Sequence, residues 1–124
     1  MLMQARLFMA LGALCAALSV VLSAAAAHVP VLQQAGATFD ASLDQQQFHA
    51  LGLVLVGVLL ERRRNRWLMA SGWLMVIGLV LFCLNIDARL LWGWEGTRSL
   101  VPMGGSAFIL SWLSAGVGVL MPQR

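Results

Sequence analysis

The 124-residue chain is 60% hydrophobic and only 10% charged, with a mean hydropathy of +0.84. A soluble domain is roughly 45–50% apolar and about 25% charged, so this composition excludes an ordinary soluble globular fold. The net charge of +3 and the pI near 10.2 come from arginines alone, half of them in one short run, which excludes the broad basic surface that nucleic-acid binding needs.

The first element in chain order is the apolar run 7–27, whose only ionisable side chain is the thiol of Cys15. With Arg6 before it and an Ala-rich end, the run also has the outline of a secretory signal peptide. It is longer than the usual apolar core of about 7–15 residues, which favours a retained span. So do its small residues: Gly12 and Ala16 form one small-xxx-small row, and Ser19, Ser23 and Ala27 another. Such rows let helices approach closely in lipid.

The second apolar run, 48–60, reaches membrane length only if its helix begins back near Ser42 or Asp44, giving a span of about 44–60. Phe39, Leu43 and Gln47 share one helical stripe there, and Asp40 or Ser42 is placed to cap the helix by accepting backbone N–H bonds. The runs 67–86, with only Cys83 ionisable, and 102–121, with no ionisable group, supply two more spans. Each run is close to the ~20 residues that a helix needs to cross about 30 Å of hydrocarbon. Barrel-type alternation is absent, so helices must satisfy the backbone in lipid. The expected fold is all-α, a single-domain integral membrane bundle of four transmembrane helices.

Between the second and third spans stands "LLERRRNRWLM", with Arg62, Arg63, Arg64 and Arg66. Arginines close to a membrane stay on the cytoplasmic side. This puts both termini in the cytoplasm, Arg6 with one and Arg124 with the other, and makes 28–44 and 87–101 the outer loops. Six arginines are then inside, and only Arg89 and Arg98 outside, beside Asp40, Asp44, Asp87 and Glu95. The run is thus read as a topology anchor that also touches anionic lipid head groups.

The aromatic residues mostly form a belt, with Trp67 at the inner interface and Trp92 and Trp94 at the outer one. Trp112 falls mid-span, where its N–H needs a serine or a backbone carbonyl as partner. Ser71, Ser111 and Ser114 are expected to link helices. "PMGG" reads as a helix start, with Pro102 in the first turn and Gly104 and Gly105 leaving room for a neighbour. Cys15 and Cys83 sit at different predicted depths, which argues against a disulfide and for small packing residues.

One polar cluster is expected at the outer boundary. It comprises His28 at the end of span one, Gln46 and His49 early in span two, and Asn85 and Asp87 at the end of span three. Such a group either pins helix ends by hydrogen bonds or, through His28, His49 and Asp87, holds a divalent metal.

The chain resembles the YgdD-like family of small inner-membrane proteins, a family without an assigned activity. The resemblance rests on "RLFMALGAL", "AAAH" ending at His28, "QFHALGLVLVG" with His49, "GWLMVIGLVLF", and "VPMGGSAFILSW" with Pro102, Gly104 and Gly105. It covers nearly the whole chain in order, implies four transmembrane helices in the inner membrane, and brings no catalytic residue. Where the family tends to have Gly-Ala-His, this chain has Ala26-Ala27-His28, and "CLNID" replaces a Ser/Gly-rich segment.

Three function classes follow. The favoured one is a structural or accessory protein whose partners are membrane lipids, a larger membrane complex or a second copy of itself. An enzyme is not expected, since no catalytic set is present, and no cofactor is expected. The second class is a metal- or redox-cofactor-binding protein using His28 and His49. The third, a small-solute transporter, is disfavoured, because coupling needs an ionisable group in mid-membrane and no span has an Asp, Glu, Lys or Arg at its centre.

Overall fold

The computed structural model describes residues 1–122, and these are helical throughout their regular elements. The order is α1 (Leu2–Ala26), α2 (Pro30–Ala35), α3 (Ala37–Arg63), α4 (Arg66–Gly78), a π turn (Leu79–Leu84), α5 (Asn85–Trp92), a 3-10 turn (Arg98–Leu100) and α6 (Val101–Leu120). The π turn joins α4 and α5 into one helix, Arg66–Trp92. With Leu2–Ala26, Ala37–Arg63 and Arg98–Leu120 it makes 4 helices long and apolar enough to cross a membrane. Arg124, expected beside the anchor, lies outside the described residues.

Two boundaries differ from expectation. The second long helix begins at Ala37, and neither Asp40 nor Ser42 caps it. Gly36 supplies the turn instead, with φ of 55°, directly after the short helix α2 that Pro30 starts. The buried stripe of α3 runs through Phe39, Ser42, Gln46, His49 and Leu53, while Gln47 is exposed. The third long helix continues past 86 to Trp92, where Gly93 in the left-handed region (φ 69°) ends it. Asp87 therefore belongs to a membrane-length helix, not to a loop.

The helices pack as two antiparallel pairs, α1 on α3 and α4 on α6, with α3 and α4 joining the pairs. Glycines set the closest approaches. A Cβ on Gly12 would lie 2.7 Å from the Ala50 carbonyl, and one on Gly57 would lie 2.8 Å from that of Ala5. Gly12 thus behaves as its small-residue row predicts. In the other row only Ser19 is buried, and its hydroxyl bonds the Ala16 carbonyl within its own helix. Gly104 likewise meets the backbone of Leu81 and Phe82. Phe8, Leu53, Leu60, Leu68 and Met75 fill the core, all 0% exposed. A smaller apolar cluster of Leu22, Leu32 and Phe39 closes the end under α2. Leu14, Val20, Leu51, Ile109 and Leu113 point outward, an apolar surface suited to lipid. Trp67, Trp92 and Trp94 are exposed, as a belt requires.

The arginine run forms a tight hairpin between α3 and α4. Arg64 takes a left-handed conformation, and Asn65 does two things at once. Its Oδ1 accepts from the Leu68 N–H at 2.9 Å and so caps α4, while its Nδ2 donates to the Gly118 carbonyl at 3.0 Å. The start of α1 and the end of α6 thus share one side of the bundle with the hairpin.

Candidate functional site

His49 and Trp112 meet at mid-height. The indole Nε1–H of Trp112 donates to His49 Nε2 at 2.9 Å, and the His49 Nδ1–H is placed to donate to the Gln45 carbonyl at 2.9 Å. That assignment makes the imidazole neutral, with its proton on Nδ1. The ring also stacks on Phe108, with centroids 3.6 Å apart and planes 12° apart. Both ring nitrogens are occupied, so neither is open to a metal. The partner of Trp112 is thus a histidine rather than the serine or carbonyl expected. Sequence spacing cannot reveal that pairing, because His49 and Trp112 lie on different helices. Beside them a groove of about 340 Å³, lined by Gln45, Phe48, Phe82, Phe108 and Ile109 among others, opens between α3 and α6.

A second polar node lies toward the α2 end. Ser42 Oγ donates to Asp87 Oδ1 at 3.0 Å and lies 3.3 Å from the Cys83 carbonyl. One turn along α3, Gln46 Nε2 donates to the Cys15 carbonyl at 2.9 Å. The carbonyls of Cys15 and Cys83 thus accept from successive turns of α3, both residues pack against one core, and both thiols are free. Ser42, Gln46 and His49 follow each other at helical spacing, and that stripe was the available signal for this node.

The five expected cluster residues do not come together. Asn85 turns to the loop after Gly93, where its Nδ2 donates to the Thr97 carbonyl at 2.6 Å and its Oδ1 accepts from Thr97 Oγ1 at 2.9 Å. His28 is exposed past the end of α1. Asp87 pairs with Ser42, Gln46 with α1, and His49 with α6. The reason is geometric: facing residues of α3 alternate among three neighbouring helices. Among the described residues no three His, Cys, Asp or Glu side chains gather as a metal site, so the grouping of His28, His49 and Asp87 is corrected. Two of the three serines link helices as expected, Ser71 Oγ donating to the Ser111 carbonyl and Ser114 Oγ to the Trp67 carbonyl, both at 2.6 Å, while the Ser111 hydroxyl bonds the Phe108 carbonyl of its own helix.

The arginine hairpin borders an open cavity of about 590 Å³, lined by Glu61, Arg62, Arg63, Arg64, Arg66 and Trp67 together with Asn65, Met121 and Pro122. Arg63 Nη1 reaches the Val119 carbonyl at 3.4 Å, so the cup is tied to α6 from both Arg63 and Asn65. Arg62 and Arg63 also lie in the last turn of α3, where cations suit the helix dipole.

Residues 22–105, from the end of α1 to the start of α6, match the family model described as Protein of unknown function (DUF423). The chain belongs to the DUF423 family. Its curated relatives are membrane proteins by name. This DUF423 chain is 32% identical to the UPF0382 membrane protein YwdK of Bacillus subtilis over 116 residues, covering 87% of this chain and 91% of the relative. It is 30% identical to a UPF0382 membrane protein of Staphylococcus haemolyticus over 113 residues, covering 87% and 90%. The UPF0382 inner membrane protein YgdD of Escherichia coli K12 is 28% identical over 131 residues, covering 98% and 95%. No solved structure matches the chain. The DUF423 protein is an integral membrane protein of four spanning helices, in the YgdD-like family that its motifs suggested.

Proposed function

We propose that this DUF423 protein is a non-enzymatic accessory protein of the bacterial inner membrane, which holds an anionic phospholipid head group in its arginine cup. The cup carries the reading: four arginines and the exposed ring of Trp67 line about 590 Å³ at one end of the bundle. Arginine forks match phosphate oxygens, and an interfacial tryptophan sits at head-group level. The name of YgdD as an inner membrane protein supports the location. The cup, both termini and the end of α6 then face the cytoplasm, where anionic lipid attracts such segments by about 1 kcal/mol per arginine.

Native mass spectrometry of the chain, released from an equimolar mixture of phosphatidylglycerol and phosphatidylethanolamine, tests the reading. Retention of phosphatidylglycerol by the wild type, lost in the triple variant Arg62→Gln, Arg64→Gln, Arg66→Gln, is expected. Equal retention of both lipids by both proteins would sink it.

A further inference from the structure

At the Ser42–Asp87 node, buried acceptors outnumber donors. Asp87 is 6% exposed, and while its Oδ1 accepts from Ser42, its Oδ2 has no partner. Gln46 is 1% exposed; its Nε2 is taken by the Cys15 carbonyl, and its Oε1 also has no partner. The Cys83 carbonyl adds a further acceptor, and among the described residues the side-chain hydrogen bond to Asp87 is that of Ser42. Unpaired acceptors are costly away from water, and an isolated carboxylate is costlier still. The node also sits against the π turn, a helix irregularity frequent at functional sites.

We propose that Asp87 is a proton-binding site inside the folded bundle: the carboxyl is carried as the neutral acid, with its hydrogen on Oδ2 and Gln46 Oε1 as the acceptor. The proton comes from solvent hydronium: one of its O–H bonds breaks, leaving water, and an O–H bond to Asp87 Oδ2 forms. One hydrogen then satisfies two orphaned atoms. The surroundings supply no counter-charge. On α3, Ser42 bonds the carboxyl and Gln46 lies one turn further along, while Asp40 and Asp44 are exposed; in the π turn, the Cys83 carbonyl lies 3.3 Å from the same Ser42 hydroxyl. Helix α2 has no ionisable side chain. Arg89 is half-buried on α5 itself, and Arg98 is exposed and lies 3.8 Å from Glu95. Ionisable residues within spanning helices mark ion pathways, proton relays or ligand counter-ions, and Asp87 gains that position because α5 prolongs the third helix to Trp92.

Infrared spectroscopy of the full chain in lipid at neutral pH tests this. The other carboxyl side chains, Asp40, Asp44, Glu61 and Glu95, are all exposed. The wild type should show a protonated-carboxyl C=O stretch that shifts on deuterium exchange. The band should vanish in Asp87→Asn and move in Gln46→Leu. A folded wild type without the band overturns the proposal, whatever the variants do. A band unmoved in Gln46→Leu overturns Gln46 as its acceptor. Thermal stability should be equal in sodium chloride and in choline chloride at the same ionic strength. A sodium-specific rise that Asp87→Asn lacks would overturn the proton in favour of a cation.

Discussion

Trp112 on α6 and His49 on α3 are joined by a 2.9 Å hydrogen bond at mid-height, on a ring that Phe108 covers from one face. Trp112→Phe keeps most of the ring and leaves His49 Nε2 without its donor. A buried polar atom left unpaired costs about 1–3 kcal/mol. The variant should unfold earlier in detergent by that amount. His49→Leu combined with Trp112→Phe should cost less than the sum of the two single changes, since removing both partners is milder than removing one. Strict additivity would show that the bond contributes nothing. A chelator should leave the wild-type melting curve unmoved; a chelator-induced drop would restore the metal reading.

Glycines at helix crossings should be far less replaceable than glycines facing lipid. A Cβ at Gly104 would lie 2.7 Å from the Phe82 backbone nitrogen, while one at Gly116 meets nothing within 4 Å. Gly104→Ala must push two backbones apart, and overpacking of that kind costs about 1–3 kcal/mol or more. Gly116→Ala should be neutral or slightly stabilising, since alanine is the better helix former by about 1 kcal/mol. Thermal unfolding of the two variants side by side decides it.

Phe8 and Gly72 should show a compensating pair. The Phe8 ring lies on Gly72, so close that an added Cβ would sit 2.1 Å from it. Gly72→Ala alone should destabilise strongly. Phe8→Ala alone should cost about 3–5 kcal/mol through the cavity it leaves. In Phe8→Ala with Gly72→Ala, the second change should cost almost nothing, because the ring that it strikes is gone. Equal cost of Gly72→Ala in both backgrounds would contradict the packing of α1 against α4.

Orientation is tested by reporters active only outside the cytoplasm. Fusions after Arg64 should be silent, and fusions near Gly36 or Gly96 active. The reverse pattern would move the arginine cup to the outer face and remove the basis for its lipid reading.

The four spans were legible because charge is expelled from long apolar runs, and the anchor because arginines cluster between two of them. Less was legible at the ends. The start of α3 depends on Gly36, whose positive φ has no apolar pattern to announce it. The candidate site was half legible. The residue types at His49, Gln46 and Asp87 marked them as worth attention, but their partners are set by which helix lies opposite. Ser42, taken as a helix cap, is a bridge to Asp87 because α3 extends further back than hydropathy suggests. Asn85 was grouped with Asp87 by closeness along the chain, yet the two point to different neighbours, one to Thr97 and the other to Ser42.

The π turn at Leu79–Leu84 has one more effect. Such a turn accommodates an extra residue in the helix, and one residue is worth roughly 100° of rotation about the axis. Everything beyond it is therefore indexed to a different face than α4 dictates. Deleting a single residue between Leu79 and Leu84 should restore a plain α-helix and leave Asn85 and Asp87 facing the same partners, since the turn has already absorbed that residue. The turn acts as a phase shifter. Met75 and Leu68 meet the core on the register of α4, and two polar residues meet the interior on a register of their own, within one uninterrupted rod.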